Sequence, residues 1–126
     1  MIERSWVEDY KLTLRRLALR DDLYIKGLLA EECASPALSG LDPGAHALVR
    51  IATLIAVDAA PPSYMSAVSA ALDAGLSMEQ IVETLIAVMP TVGVARVVSA
   101  APKLGLALGY DVSEAFEVAA SDDLER

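Results

Sequence analysis

The side chains best suited to chemistry lie in the segment 59–67, which reads Ala-Ala-Pro-Pro-Ser-Tyr-Met-Ser-Ala. The two prolines predict a helix start, which puts Tyr64 in a first turn, where its phenol could donate a hydrogen bond or a proton. The hydroxyls of Ser63 and Ser66 stand beside it and could contact a substrate. Alternatively, Tyr64 packs its ring and turns its hydroxyl to water.

A second candidate pair precedes this segment. His46 and Arg50 are four residues apart and therefore neighbours on one helix face. His46 can exchange a proton near neutral pH, and Arg50 can hold a carboxylate through two parallel hydrogen bonds. Together they predict a small anion site with acid–base capacity. The alternative is an exposed first-turn histidine beside an arginine in a surface salt bridge.

Two further charged residues follow. Glu83 shares the polar face of its predicted helix with Gln80 and Thr84, so it is a third candidate for acid–base work. Arg96 lies in an apolar stretch and could bind a substrate carboxylate. The alternatives are a surface or intersubunit carboxylate for Glu83 and an interface ion pair for Arg96.

Apolar spacing and helix-capping residues predict an all-α chain that forms one domain over residues 1–126. The helix after Asp42-Pro43 is apolar almost all round and should be central. Ser77 and Gln80 predict a capping box, and Gly75 predicts a left-handed cap at the end of the helix before it. We expect a stop or kink at Pro90 and a bend at Pro102. The predicted helices span about 5–19, 22–34, 42–59, 61–74, 77–89, 91–108 and 113–120.

Composition narrows the class of protein. Hydrophobic residues make up 55% of a 126-residue chain, and the mean hydropathy is +0.45, which predicts a homo-oligomer that buries helix faces between subunits. The net charge of −8 and the pI of about 4.5 argue against a nucleic-acid partner. Residues 111–126 carry six of the eighteen acidic side chains and predict a solvated acidic tail.

The cysteine and histidine counts restrict redox and metal chemistry. Cys33 is the single cysteine, so a CxxC pair cannot form, and one cysteine with one histidine cannot build a usual transition-metal site. No Gly-rich phosphate loop is present, and we expect no cofactor. The charged N-terminus lacks the features of a signal peptide, and the uncharged run 84–95 is too short to cross a bilayer. We therefore expect a cytoplasmic protein without a membrane partner.

An ordered set of short motifs resembles the carboxymuconolactone decarboxylase and alkylhydroperoxidase D superfamily. Gly40-Leu41-Asp42-Pro43 is followed by the apolar helix 48–57, and residues 70–81, AALDAGLSMEQI, match the family's "AAL..G.T.EEI". Glu83-Thr84-Leu85 and the segment 92–96 follow in order, so the resemblance covers about residues 12–110. It implies an alkylhydroperoxidase D-like bundle of about six to seven helices around a central helical hairpin, assembled into trimers or hexamers.

The resemblance also shows which catalytic residues are missing. The family's peroxidase branch uses a Glu, a Cys-x-x-Cys pair and a His, and counting back from Gly75 places Leu48, Ala60, Ser63 and Ala67 at these positions. A serine hydroxyl forms no disulfide, so the thiol cycle is excluded. The decarboxylase branch keeps the His, and Ala67 cannot transfer a proton in its place.

Three functions stay open at this stage. The first is a non-redox lyase or decarboxylase that acts on a small carboxylated or aromatic metabolite. Its catalytic groups would be Tyr64, His46 and Glu83, and its substrate-binding groups Ser63, Ser66, Arg50 and Arg96. The second is a catalytically inactive oligomer or small-molecule binder. The third is a degenerate peroxidase that uses Cys33, whose alternative role is a small buried hydrophobe.

Overall fold

The computed structural model describes residues 2–30, 39–112, 117 and 120, with side chains described from residue 10 onward. All regular secondary structure in these residues is α-helical, which confirms the all-α prediction and is compatible with a bundle of six to seven helices. The helices are α1 (Ile2–Ala18), α2 (Asp22–Ala30), α3 (Pro43–Ala56), α4 (Pro61–Asp73), α5 (Met78–Val92) and α6 (Val94–Ala107).

The chain divides into two compact units, Met1–Gly40 and Leu41–Arg126. In the first unit, Arg20 has a φ of 54° in the turn between α1 and α2, and Asp21 Oδ1 accepts a hydrogen bond of 3.2 Å from the backbone N–H of Tyr24. The Arg16 guanidinium lies 5.1 Å from the centre of the Tyr24 ring, which joins the two helices by a cation–π contact. The prediction of one domain stays a prediction.

The second unit is built around α3, which contacts α4, α5 and α6. Each helix contributes one apolar face, and these faces bury a common core that excludes water. The buried core residues are Ala47, Ile51 and Ile55 on α3, Tyr64, Ala67, Val68 and Ala71 on α4, Ile81 and Leu85 on α5, and Val97, Ala100 and Leu104 on α6.

Local signals set the limits of these helices. Asp42 caps α3 by accepting a first-turn backbone N–H at 2.9 Å. Ser77 and Gln80 form the predicted capping box of α5, with hydrogen bonds of 2.9 and 3.1 Å. Gly75 and Gly93 have φ angles of 90° and 92°, which a residue with a Cβ rarely adopts, so the chain can leave α4 and α5 at these points.

Several predicted limits need correction. The prediction at Pro90 was a stop or a kink. The stop is wrong, because α5 continues to Val92 and ends at Gly93, and the kink stays a prediction. Near the end of a helix a proline disturbs few following residues, while Gly93 can leave the helix without steric strain. Helix α3 ends at Ala56 rather than near residue 59, since Asp58 takes a left-handed conformation. Pro102 lies within α6, and its predicted bend stays a prediction.

The remaining sequence expectations concern the ends of the chain and the membrane. The last part of the second predicted helix, residues 31–34, and most of the helix predicted for 113–120 lie outside the described residues. Among the described helices, none combines the length and the apolar character that a bilayer crossing requires.

Candidate functional site

Two of the residues predicted to bind a substrate meet where α3 and α4 pack. Arg50 on α3 donates a hydrogen bond of 3.0 Å from Nη2 to Ser66 Oγ on α4. No carboxylate pairs with Arg50 within the part of the chain that the structure describes. His46 lies one turn before Arg50 and is half-buried. This face therefore presents a guanidinium whose hydrogen-bond partner is a neutral hydroxyl.

The helix that follows Pro61-Pro62 does not present its tyrosine to solvent. Tyr64 and Ala67 are both 0% exposed, whereas Ser63 and Ser66 lie on the outer face of α4. Positions 64 and 67 are three apart and share the inward face, so the helical repeat separates Tyr64 from its serine neighbours. The segment predicted as a cluster of hydroxyls is thus divided between the core and the surface.

The phenol of Tyr64 is an unusual polar group in this core. Its oxygen is buried and has no hydrogen-bond partner among the described residues. Burial raises the pKa of Tyr64 above its usual value of 10.0, and the negative charge of Asp58 raises it further. An uncharged phenol without contact to solvent cannot deliver a proton to a substrate outside the core in this conformation.

A polar cluster that the sequence did not predict lies at the connection between α3 and α4. Asp58 Oδ1 accepts hydrogen bonds from Ser99 Oγ at 2.7 Å and Lys103 Nζ at 3.1 Å. Arg96 lies 3.8 Å from Asp58 Oδ2, and Lys103 also donates to the carbonyl of Ala59 at 3.0 Å. We call Asp58, Tyr64, Arg96, Ser99 and Lys103 the Asp58 corner.

These contacts determine the charge state of the corner. The hydrogen bonds from Ser99 and Lys103 hold the pKa of Asp58 below its usual 3.8, and the positive charges of Lys103 and Arg96 lower it further. Arg96, predicted as a substrate ligand, is therefore paired with a carboxylate of its own chain. The sequence contains a signal for this cluster. Arg96, Ser99 and Lys103 are spaced as i, i+3 and i+7, which places three polar side chains on one face of the otherwise apolar α6.

A groove runs along α3, where this helix packs beside α5. Its volume is about 450 Å³, and most of its wall is apolar. We call it the α3–α5 groove. Its lining residues are Leu48, Val49 and Ala52 on α3 and Gln80, Glu83, Thr84, Ala87 and Val88 on α5. Leu48, which stands where the resemblance places a catalytic Glu, is thus one of its apolar wall residues.

The polar groups of this groove all come from α5. Gln80 uses its side-chain oxygen in the capping box, and Thr84 Oγ1 donates to the Gln80 carbonyl at 3.2 Å. Glu83 is exposed and forms no ion pair within the described part of the chain. A second, smaller cavity of about 330 Å³ shares Glu83 and extends along α5 past Met78, Glu79 and Val82. Among the predicted catalytic residues, Glu83 lines both of these cavities.

The remaining predictions about a site concern metal binding, Cys33 and the acidic tail. Among the described residues, no three His, Cys, Asp or Glu side chains are grouped so that they could hold a metal ion. Cys33 lies outside the described residues, as do most of the residues of the predicted acidic tail 111–126.

No protein-family model, no curated protein and no solved structure matches this chain. The resemblance to the carboxymuconolactone decarboxylase and alkylhydroperoxidase D superfamily therefore stays a prediction from the residues that carry it.

Proposed function

We propose that this protein binds a small molecule in the α3–α5 groove and does so without catalysing a reaction. The observation that carries the proposal is the groove itself, with a volume of about 450 Å³ and a mostly apolar wall. Binding sites for small molecules usually have volumes of this order and combine apolar walls with a few converging polar groups. The inactive small-molecule binder predicted as an alternative from the sequence is thus the function that we favour.

The chemistry of the groove restricts its ligand. Glu83 supplies a carboxylate with no cationic partner among the described residues, and Gln80 and Thr84 lie on the same side. An apolar body would cover Leu48, Val49 and Val88, while an ammonium or another hydrogen-bond donor would face Glu83. An anionic group at this place would be repelled. We propose an aromatic or aliphatic amine rather than the carboxylated metabolite expected from the sequence.

A lyase acting on a carboxylated metabolite is the second candidate, and the Arg50–Ser66 contact favours it. Arg50 has a positive charge that no described carboxylate neutralises, and it lies one turn from His46. A substrate carboxylate could replace the Ser66 hydroxyl as its partner. The burial of Tyr64 weighs against this candidate, because its proposed proton donor has no route to a substrate on the surface.

Assembly and location belong to the same proposal. We propose a homo-oligomer, either a trimer or a hexamer, that acts in the cytoplasm. Large apolar side chains on the outer face of α5, which include Val82 and Ile86, support association because water would otherwise surround them.

The experiment compares three probes that share one ring and differ in charge: phenethylamine, phenethyl alcohol and phenylacetate. Backbone amide shifts in two-dimensional NMR locate each probe on the ¹⁵N-labelled chain. We expect phenethylamine to shift the amides near Ala52 and Glu83, phenethyl alcohol to bind more weakly and phenylacetate to leave this region unchanged.

Matched variants test separately whether the probe binds in the α3–α5 groove and whether the Glu83 charge contributes to its affinity. Ala52→Trp should fill the groove and abolish the amide shifts. Glu83→Gln should weaken the binding of phenethylamine about five-fold, which corresponds to the loss of one exposed ion pair. Glu79→Gln removes a neighbouring carboxylate outside the groove and should bind like the parent chain. Binding of phenethylamine that survives Ala52→Trp, or no binding of any probe, would contradict the proposal. Binding of phenylacetate that depends on Arg50 would instead favour the lyase.

A further inference from the structure

The side-chain amide of Gln80 has its orientation fixed by the capping box of α5. Its Oε1 accepts a hydrogen bond of 2.9 Å from the backbone N–H of Ser77, and the backbone N–H of Gln80 donates to Ser77 Oγ at 3.1 Å. Because a backbone N–H bonds only to an acceptor, the amide oxygen faces the cap and the amide nitrogen faces away from it. No hydrogen bond to another described residue uses that nitrogen. Gln80 therefore brings two unused N–H donors to the wall of the α3–α5 groove.

The other polar side chains of the groove have no donor to offer. The carboxylate of Glu83 carries acceptors alone. Thr84 has one hydroxyl proton, and it donates this proton to the Gln80 carbonyl at 3.2 Å. The remaining lining side chains are apolar. Within the described lining, the groove thus combines one neutral donor group, the Gln80 amide, with one anionic acceptor, the Glu83 carboxylate.

The helical repeat places this donor and this acceptor side by side. Gln80 and Glu83 are three positions apart on α5, so their Cβ atoms are separated by about 5–6 Å. A single small molecule can reach both groups at that separation. The apolar wall of the same groove, which includes Leu48 and Val49 on α3, is available to the hydrocarbon part of that molecule. The groove therefore sets three conditions for its ligand rather than two.

We propose that the ligand of the α3–α5 groove carries a neutral hydrogen-bond acceptor a short distance from its ammonium group, as amino ethers and amino alcohols do. The Gln80 amide donates to this acceptor while Glu83 binds the ammonium. The inference rests on the proposed function, because it adds one feature to the amine assigned to this groove. An ionised carboxylate in place of the neutral acceptor would lie beside Glu83 and be repelled, which disfavours amino acids.

The test uses two amines that differ in one atom, 2-(benzyloxy)ethylamine and 4-phenylbutylamine. Both have one ring and one ammonium at the same chain length, and an ether oxygen in the first replaces a methylene in the second. Amide shifts of the ¹⁵N-labelled full chain give a dissociation constant for each. We expect the ether to bind about three-fold or more tightly than the hydrocarbon, since it gains one hydrogen bond from Gln80.

The variant Gln80→Glu removes the donor and keeps the helix cap, because a glutamate at this position of a capping box bonds to the Ser77 N–H in the same way. Its order of affinity should reverse, with 4-phenylbutylamine the tighter ligand, since the new carboxylate repels the ether oxygen. The added negative charge attracts both ammonium groups alike. The ratio of the two dissociation constants therefore reports on the acceptor alone.

Two further variants separate Gln80 from its neighbours. Glu83→Met removes the carboxylate without adding a donor, so it should weaken both probes and leave their ratio within about two-fold of the parent value. Thr84→Val keeps the shape of the side chain and should also preserve the ratio. A ratio that collapses in Thr84→Val would assign the donor to Thr84 and overturn the inference.

The outcomes for the parent chain distinguish this inference from the proposed function. Equal affinities for the two probes, or a preference for 4-phenylbutylamine, would overturn the inference, while binding of phenethylamine near Ala52 and Glu83 would leave the proposed function standing. The absence of amide shifts in the groove with all three amines would overturn both. An ether preference that survives Gln80→Glu would also contradict the role given to the Gln80 amide.

Discussion

The Asp58 corner and the α3–α5 groove are two regions of the second unit that use their polar groups in opposite ways. In the corner, a carboxylate is satisfied by a hydroxyl and an ammonium at 2.7 and 3.1 Å. In the groove, the Glu83 carboxylate faces solvent beside an apolar wall. Groups that already have partners hold helices together, and a group without an ion-pair partner is available to a ligand.

The difference between the corner and the groove changes which residues we assign to function. Tyr64 and Arg96 were predicted as working groups, but one is enclosed in the core and the other is paired with Asp58. Glu83 was predicted with them and lines the α3–α5 groove. We infer that the corner is structural and the groove is functional, and the following predictions test this division.

The largest expected effect is the loss of the buried ring in the corner. Tyr64→Ala should lower the free energy of unfolding by about 3–5 kcal/mol, because a fully buried aromatic side chain would leave a cavity. The matched groove variant, Val49→Ala, should stay within about 0.5 kcal/mol of the parent chain, since Val49 is half exposed. Urea unfolding measures both. Equal costs at the two positions would remove the distinction between the corner and the groove.

A smaller effect of opposite sign is expected when only the hydroxyl of Tyr64 is removed. Tyr64→Phe keeps the ring and deletes a buried oxygen without a described partner, so we expect a gain of about 1 kcal/mol at pH 7. The raised pKa adds a pH dependence. The unfolded phenol ionises near pH 10.0 and the folded one at a higher pH, so the parent chain loses stability above pH 10. The variant should not show this loss.

Urea unfolding at pH 7 and pH 11 checks this prediction. A loss of stability for Tyr64→Phe at pH 7 would mean that the hydroxyl makes a stabilising hydrogen bond, for example to a buried water molecule. A substrate conversion that Tyr64→Phe abolishes without a loss of stability would move Tyr64 back to the catalytic role predicted from the sequence.

Local signals made much of the fold predictable. The capping box at Ser77 and the φ angle of Gly75 are set by residues close in sequence, and both were predicted correctly. Pro90 misled the prediction, because the sequence alone does not show that a proline lies in a last turn that Gly93 will end. Rules based on neighbouring residues therefore predicted which segments are helical more reliably than where each helix ends.

The candidate site was less predictable because its contacts are distant in sequence. Asp58 meets Ser99 and Lys103 across 41 and 45 positions, and no short motif encodes that pairing. The separation of Tyr64 from Ser63 and Ser66 was not predicted for another reason. The pattern identified a helix but not which of its faces is buried. Glu83 could be selected from its polar face, whereas the groove beside it depends on how α3 packs against α5.

The smallest expected effect concerns the charge of Asp58. Its φ of 54° is a conformation that asparagine also tolerates, so Asp58→Asn removes the charge while keeping the backbone turn. The folded-state pKa of Asp58 is lowered, so its stabilising contribution is present above pH 3.8 and is lost as the pH falls through the folded-state pKa. The parent chain should therefore exceed the variant in stability at pH 7, by less than either change at Tyr64, and the difference should shrink as the pH falls below 3.8.

Asp73→Asn removes an exposed carboxylate at the end of α4 and is the control. Lys103→Met removes the ammonium that donates a hydrogen bond to Asp58. If the corner is structural, Asp58→Asn and Lys103→Met should be non-additive, because each removes the same contact. Neither variant should alter phenethylamine binding in the groove. A change in that binding would couple the corner to the groove and contradict their division into structural and functional regions.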